Sequence, residues 1–156
     1  MRLHIIAVGR LRAGPEKTLI DDYLSRFDRT GRAMGLGPVN VVEVDDRKGG
    51  GMPAEAALLE RAVPAGAVIC VLDERGKVET SPQFASRLGG WRDNGRSDLA
   101  MVIGGADGIH APLRARADHA LSFGKMVWPH MLVRVMVAEQ LYRAASILAG
   151  GPYHRT

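Results

Sequence analysis

Cysteine is nearly absent from this chain, with Cys70 the sole thiol in 156 residues, so no disulfide framework is available and no paired thiolates can hold zinc. Cys70 sits in the apolar run 67–72 and reads as a buried strand residue rather than a nucleophile. Aromatic residues make up only 5% of the chain, and no apolar run reaches the roughly 18 residues that a membrane-spanning helix needs. Residues 1–9 lack the order of a signal peptide, so the expected location is the cytoplasm. The histidines do not pair at metal-ligand spacing, and a metal site is not expected. A dinucleotide fingerprint fails because Gly104 is followed by Ala106 and Ile109 where glycines are required. Neither a phosphate-binding Walker loop nor a Gly-x-Ser-x-Gly elbow occurs.

What the chain does have is an uneven charge distribution. Residues 1–109 hold 15 basic and 15 acidic side chains, whereas residues 110–156 hold 6 basic and 2 acidic, which places the whole formal excess of +4 at the C-terminal end. Four of the five histidines are there too: His110, His119, His130 and His154. Such a face suits a phosphate-bearing partner, although a solvated basic surface would look the same.

The hydrophobic pattern predicts one α/β domain with a parallel sheet. Buried strands are expected at 3–8, 39–44, 67–72 and 99–103, with a brief one at 120–123. Helices are expected from Pro15, with Leu19, Ile20, Tyr23, Leu24 and Phe27 facing inward; from Pro53; over 82–93, capped by Ser81; briefly from Pro112; and from Pro129 to about Ala149. The glycine run 47–51 reads as a solvent loop. The last helix is apolar on most sides, which a monomer of this size can hardly bury, so a homodimer interface is expected.

Two segments invite chemistry. Gly104 and Gly105 follow the fourth strand, where open parallel sheets bind ligands, and the absence of side chains there lets backbone approach a flat, nucleotide-like ligand. At the other end, Tyr153, His154 and Arg155 follow a stiffening proline where chain termini ordinarily fray.

Taken together, Ile103-Gly104-Gly105-Ala106-Asp107-Gly108, the run from Leu121 through Gly124-Lys125-Met126-Val127-Trp128-Pro129-His130, Leu132-Val133-Arg134, Ala138-Glu139-Gln140-Leu141-Tyr142-Arg143-Ala144 and Pro152-Tyr153-His154-Arg155 closely resemble the ribosomal large-subunit methyltransferase H family, within the SPOUT class. The resemblance spans the whole chain. It implies a single SPOUT-type domain over 1–156 with a C-terminal trefoil knot, a homodimer, and S-adenosylmethionine bound in the knot. By the same likeness Leu72, Gly104, Gly105, Gly124, Lys125, Met126, Val127, Trp128 and Pro129 line the cofactor pocket. The implied reaction is methylation of N3 of a pseudouridine in 23S ribosomal RNA, on assembled ribosomes. Arg10 and Met131 depart from residues common in relatives, outside the central motifs.

Methylating an imide nitrogen needs loss of its proton and alignment with the donor methyl, but no covalent enzyme intermediate. Arg143, Tyr153 and Arg155 are the expected stabilisers of charge on the flanking oxygens. His154 is the expected general base or proton relay, since imidazole titrates near neutrality. Arg134 and Glu139 are expected to position the site or contact the second subunit, and His130 to orient its loop. A ribosome-associated, nucleotide-binding protein without catalysis is the alternative; a nicotinamide-dependent oxidoreductase is disfavoured by the failed glycine fingerprint.

Overall fold

A computed structural model describes residues 1–45 and 47–155. The elements in chain order are β1 (Arg2–Val8), α1 (Pro15–Gly31) with a short 3-10 turn (Arg32–Met34), β2 (Val39–Val44), α2 (Gly51–Ala62), β3 (Val68–Val78), α3 (Ser81–Asp93), β4 (Asp98–Ile103), α4 (Ala111–Arg116), β5 (His119–Ser122) and α5 (His130–Leu148). All strand pairings are parallel, in the order β2-β1-β4-β3-β5. Parallel strands covered on both faces read as continuous apolar runs, and β4, at the centre, is buried at every position from Asp98 to Ile103. Edge strand β2 is exposed at Asn40, Val41 and Glu43 and half-buried at Val39, Val42 and Val44.

Two cores sandwich the sheet. On one face Leu3, Ile5, Leu99 and Met101 meet Phe27 of α1, Leu88 of α3 and Leu141 of α5; on the other Ile6, Val71 and Val102 meet Leu59 of α2 and Leu113 of α4. The period of α1 places Ile20, Leu24 and Phe27 inward, but Leu19, expected inside, is 45% exposed because it falls at the rim of that stripe.

Several boundaries shift by one residue, as at β5, found at His119–Ser122 against 120–123, and three differences have a clear physical cause. Helix α2 starts at Gly51, two residues before Pro53, since Gly50 adopts the left-handed conformation that turns the chain into the helix. The cap of α3 is Thr80, not Ser81: Thr80 accepts from the Gln83 N–H while the Gln83 side chain accepts from the Thr80 N–H. Ser81 instead donates to the Gln140 side chain of α5 at 2.8 Å, tying α3 to α5. Strand β3 runs on to Val78 rather than ending at residue 72, because its ladder with β5 breaks after Leu72 and resumes at Lys77.

Helix α5 packs against α1 and α3, burying Val137, Ala138, Leu141, Ala144 and Ala145. Met131, Val133, Val135 and Met136 stay half-buried and Leu132 is 41% exposed, so the chain by itself does not enclose this helix. Arg134 is the exception among its charged residues. Its guanidinium is fully buried and donates to the carbonyls of Val8 and Gly9 at 2.7 and 2.6 Å and to Glu43 at 2.7 Å, closing the carboxyl end of β1. Enclosed in this way it positions α5 within its own chain and cannot serve as a subunit contact. Among the described residues no helix is long and apolar enough to cross a membrane.

Candidate active site

Because every strand is parallel, the carboxyl ends of β3, β4 and β5 open on one edge of the sheet, and a cavity of about 320 Å³ lies there. Its floor is Leu72 from β3, Ile103 from β4 and Leu121 from β5; the 104–108 turn forms one wall; Gly124, Met126, Val127 and Trp128 form the opposite wall; His130 and Val133 close it from the first turns of α5. Of the positions expected from sequence, Leu72, Gly104, Gly105, Gly124, Met126, Val127 and Trp128 line this cavity. Lys125 and Pro129 lie in the same segment, exposed, but outside the lining.

Gly104 is required by close backbone approach, whereas Gly105 is crowded by a side chain. A Cβ on Gly104 would stand 2.5 Å from the Gly108 carbonyl oxygen, and one on Gly105 would stand 3.1 Å from the Glu55 carboxylate of α2. The break in β3 has the same origin. Residues Asp73–Gly76 leave the ladder, and a Cβ on Gly76 would come within 2.6 Å of the Ala120 carbonyl oxygen, so only glycine lets the strand rejoin β5.

That excursion supplies lining residues that periodicity did not reveal: Asp73, Glu74 and Arg75. Asp73 is held by Arg75 at 3.2 Å and by Arg114 of α4 at 3.1 Å. Burial favours its neutral form, but the Arg75 N–H, the Arg75 guanidinium and then Arg114 outweigh that and hold the carboxyl below its ordinary range. The glycine at 76 is the sequence signal that marks the bulge. His130 also lines the cavity, and its Nδ1 is buried without a hydrogen-bond partner.

The tail builds a second constellation on the far half of α5. Glu139 is its centre: it accepts from Nε of Arg143 at 2.8 Å, from a second Arg143 nitrogen, and from the Tyr153 hydroxyl at 3.1 Å. The Arg143 guanidinium lies over the Tyr153 ring, 4.7 Å from its centroid, and its Nη1 is 3.2 Å from Nδ1 of His154. Tyr142 packs on Tyr153 at 4.5 Å and on Tyr23 of α1 at 6.4 Å, which gathers all three tyrosines of the chain. Burial, followed by hydrogen bonds with Tyr23 and Glu139, raises the Tyr153 hydroxyl well above the usual phenol range, so it remains a donor. The hydrogen bond to Glu139 likewise raises Arg143. Arg155 is exposed.

None of Glu139, Arg143, Tyr153, His154 or Arg155 lines the cavity. Along α5 the cavity ends at Val133, and Arg143 lies about 15 Å farther at 1.5 Å per residue. The C-terminal histidines do not converge either: His119 faces Glu79 at 3.0 Å and meets Trp91 edge to face, while His110 precedes α4. Among the described residues no group of three or more His, Cys, Asp or Glu side chains could hold a metal ion. Cys70 is buried, and burial pushes its thiol up to about 12, which leaves it inert at neutral pH.

Residues 1–154 match the family model described as predicted SPOUT methyltransferase. The chain belongs to that family. It is 78% identical over 155 residues to the ribosomal RNA large subunit methyltransferase H of Roseobacter denitrificans and 74% identical to that of Ruegeria pomeroyi, with 99% of both chains covered in each case. A solved structure of a methylase family protein from Neisseria gonorrhoeae, 13% identical, superposes with a TM-score of 0.52 over 99% of this chain and 86% of its own. At that identity the likeness concerns the fold alone, and it agrees with the parallel α/β architecture.

Proposed function

We propose that this SPOUT-family chain is an S-adenosylmethionine-dependent methyltransferase that methylates N3 of a pseudouridine in 23S ribosomal RNA, acting as a cytoplasmic homodimer on the assembled ribosome. One observation carries the reading: relatives named ribosomal RNA large subunit methyltransferase H are 78% and 74% identical over 99% of both chains, and this chain builds a glycine-walled cavity at the carboxyl edge of its sheet. A single domain over residues 1–156 and a C-terminal trefoil knot belong to the same reading; β5 placed beyond β3, with α5 returning to α1, supports it.

The cavity's chemistry fits the cofactor. Gly104 and Gly105 leave room for a flat purine, Leu72, Ile103 and Leu121 supply apolar walls, and the unpartnered His130 Nδ1 at the start of α5 is a free polar group for the cofactor's polar end. Gly124, Met126, Val127 and Trp128 close over it, carried on the segment that also holds Lys125 and Pro129. When bound, S-adenosylmethionine supplies an electrophilic methyl on a sulfonium leaving group. The protein must then exclude water, orient the base and favour its deprotonated imide. The residues for that last task are Arg143, Tyr153, His154 and Arg155: charge developing on the two flanking oxygens is met by preorganised N–H groups, and the Tyr153 hydroxyl, given to Glu139, orders the cluster that presents them.

Those donors and the cavity sit apart within one chain. The cavity mouth meanwhile exposes Met126 at 74%, Val127 at 83% and Trp128 at 41%, an apolar surface suited to a second copy. In the dimer the tail of one subunit completes the cavity of its partner.

The test is methyl transfer from labelled S-adenosylmethionine to purified ribosomes, with the product nucleoside located in 23S RNA. Label on N3 of a pseudouridine is expected. Binding of the cofactor with no transfer to any ribosomal particle would overturn the assignment in favour of a non-catalytic, nucleotide-binding role.

A further inference from the structure

The contact between Arg143 and His154 decides which proton His154 carries. A guanidinium has only donors, and it stays charged at any pH at which the protein folds. Its Nη1 lies 3.2 Å from Nδ1 of His154, so that ring nitrogen must present its lone pair. A neutral imidazole has one protonated and one bare nitrogen, and with Nδ1 bare the proton sits on Nε2. An imidazolium, with both nitrogens protonated, would set an N–H against the N–H of Arg143.

Arg143 has no freedom to turn away. Glu139 holds two of its nitrogens, and the Tyr153 ring packs against its face at 4.7 Å. The carboxylate that could have oriented His154 as a base is spent on Arg143 and Tyr153 instead. In a serine-protease-like arrangement a carboxylate accepts from the imidazole, leaving the outer nitrogen bare to take a proton. Here the polarity of the chain is inverted: Glu139 accepts from Arg143, Arg143 donates to His154, and His154 presents Nε2–H outward. Arg143 is the charged group in contact with the ring; the cluster behind it holds Glu139 from α5 and Tyr153 from the tail, and Tyr142 links that cluster to Tyr23 and Arg26 of α1, with Arg26 over the Tyr142 ring at 5.9 Å.

We infer that His154 is a hydrogen-bond donor to an oxygen of the target base, fixed in its Nε2–H form by Arg143, and is not the general base. This rests on the methyltransferase reading above. The site then works by binding the imide as its conjugate base. The N3 proton passes to bulk water, the N3 lone pair forms the bond to the methyl carbon, and the sulfur–carbon bond breaks with its electron pair returned to sulfur. The negative charge spread over the two flanking oxygens is met by His154 Nε2–H together with the remaining N–H groups of Arg143 and Arg155, while the Tyr153 hydroxyl stays on Glu139. Glu139 is a positioning residue that acts through Arg143.

Two measurements on the full-length protein test this. In the ¹⁵N spectrum of the histidine-labelled dimer, His154 is expected to show a bare Nδ1 and a protonated Nε2 at neutral pH, and Arg143→Ala should release it to a mixture of forms. In methyl transfer to ribosomes, log kcat/KM is expected to rise steadily with pH between about 6 and 8.5, following the imide and without a plateau from an imidazole. His154→Gln, which keeps an N–H donor but cannot act as a base near neutrality, should retain at least about a tenth of the activity, while His154→Ala loses on the order of 10²-fold. A protonated Nδ1 on His154, or a plateau near pH 7 with His154→Gln as inactive as His154→Ala, would overturn the inference. Total absence of transfer by the wild type would instead refute the reading on which it rests, leaving the spectrum to judge the tautomer alone.

Discussion

The cavity at the sheet edge and the cluster around Glu139 are built by opposite means. The cavity is shaped by backbone beneath its apolar side chains: Gly104 and Gly76 are dictated by carbonyl oxygens that would lie 2.5 and 2.6 Å from any Cβ, and its walls are turns at strand ends. The tail cluster is made of side chains, with one carboxylate holding an arginine and a tyrosine, and that arginine holding a histidine. A site made of backbone fails when atoms are added, whereas a site made of side chains fails when atoms are removed. Each region is therefore open to a kind of damage that spares the other.

The largest separation is expected from Gly105→Leu. The Glu55 carboxylate 3.1 Å from its Cβ blocks one exit, so the added side chain displaces the cavity wall. Calorimetric titration should show no S-adenosylmethionine binding, while thermal unfolding stays cooperative. Arg143→Ala is the counterpart, and removing this donor and the support of His154 should lower kcat by about 10²–10³ with the cofactor Kd unchanged. Loss of cofactor affinity in that variant would join what the geometry separates.

Smaller effects sharpen the comparison. Gly76→Ala forces a methyl against the Ala120 carbonyl and should cost about 1–3 kcal/mol of stability by denaturant unfolding, with cofactor affinity falling as the Asp73 bulge shifts. At the opposite end of the sheet Asp98 accepts from His4 at 2.8 Å and Arg2 at 3.0 Å, first His4 and then Arg2 holding its carboxyl below the ordinary value. A depressed folded value means that this contribution is complete above about pH 4 and is lost as acid titrates the folded carboxylate. Asp98→Asn should flatten the acid limb of the stability profile and leave both functional regions untouched.

How far these regions could be read from the sequence follows from the same contrast. Strand cores and helix faces were legible because apolar periodicity reports burial directly, as in β4 and in Ile20, Leu24 and Phe27 of α1. The glycine turn was legible because glycine marks backbone approach. The bulge at 73–76 had Gly76 as its one mark, but a single glycine inside a charged run carries no period, and β3 therefore looked shorter than it is. Leu19 misled because a helical stripe has a rim. The tail residues were visible as chemistry, but their shared centre at Glu139 was hidden by spacing: Glu139 reaches Arg143 one helical turn away and Tyr153 only after the chain has reversed beyond Gly150. The burial of Arg134 was equally illegible, because its partners are carbonyls of Val8 and Gly9 on the first strand.

Subunit complementation tests the central claim, that the cavity of one subunit is served by the tail of the other. Gly105→Leu and His154→Ala proteins, each inactive by itself, are unfolded together, refolded as a mixture and assayed for methyl transfer to ribosomes. Random pairing makes half of the dimers mixed, each with one intact cavity facing one intact tail, so about a quarter of wild-type activity should return. If cavity and tail act within the same chain, every site in the mixture carries a lesion, and activity that stays at the level of the separate variants would contradict the account.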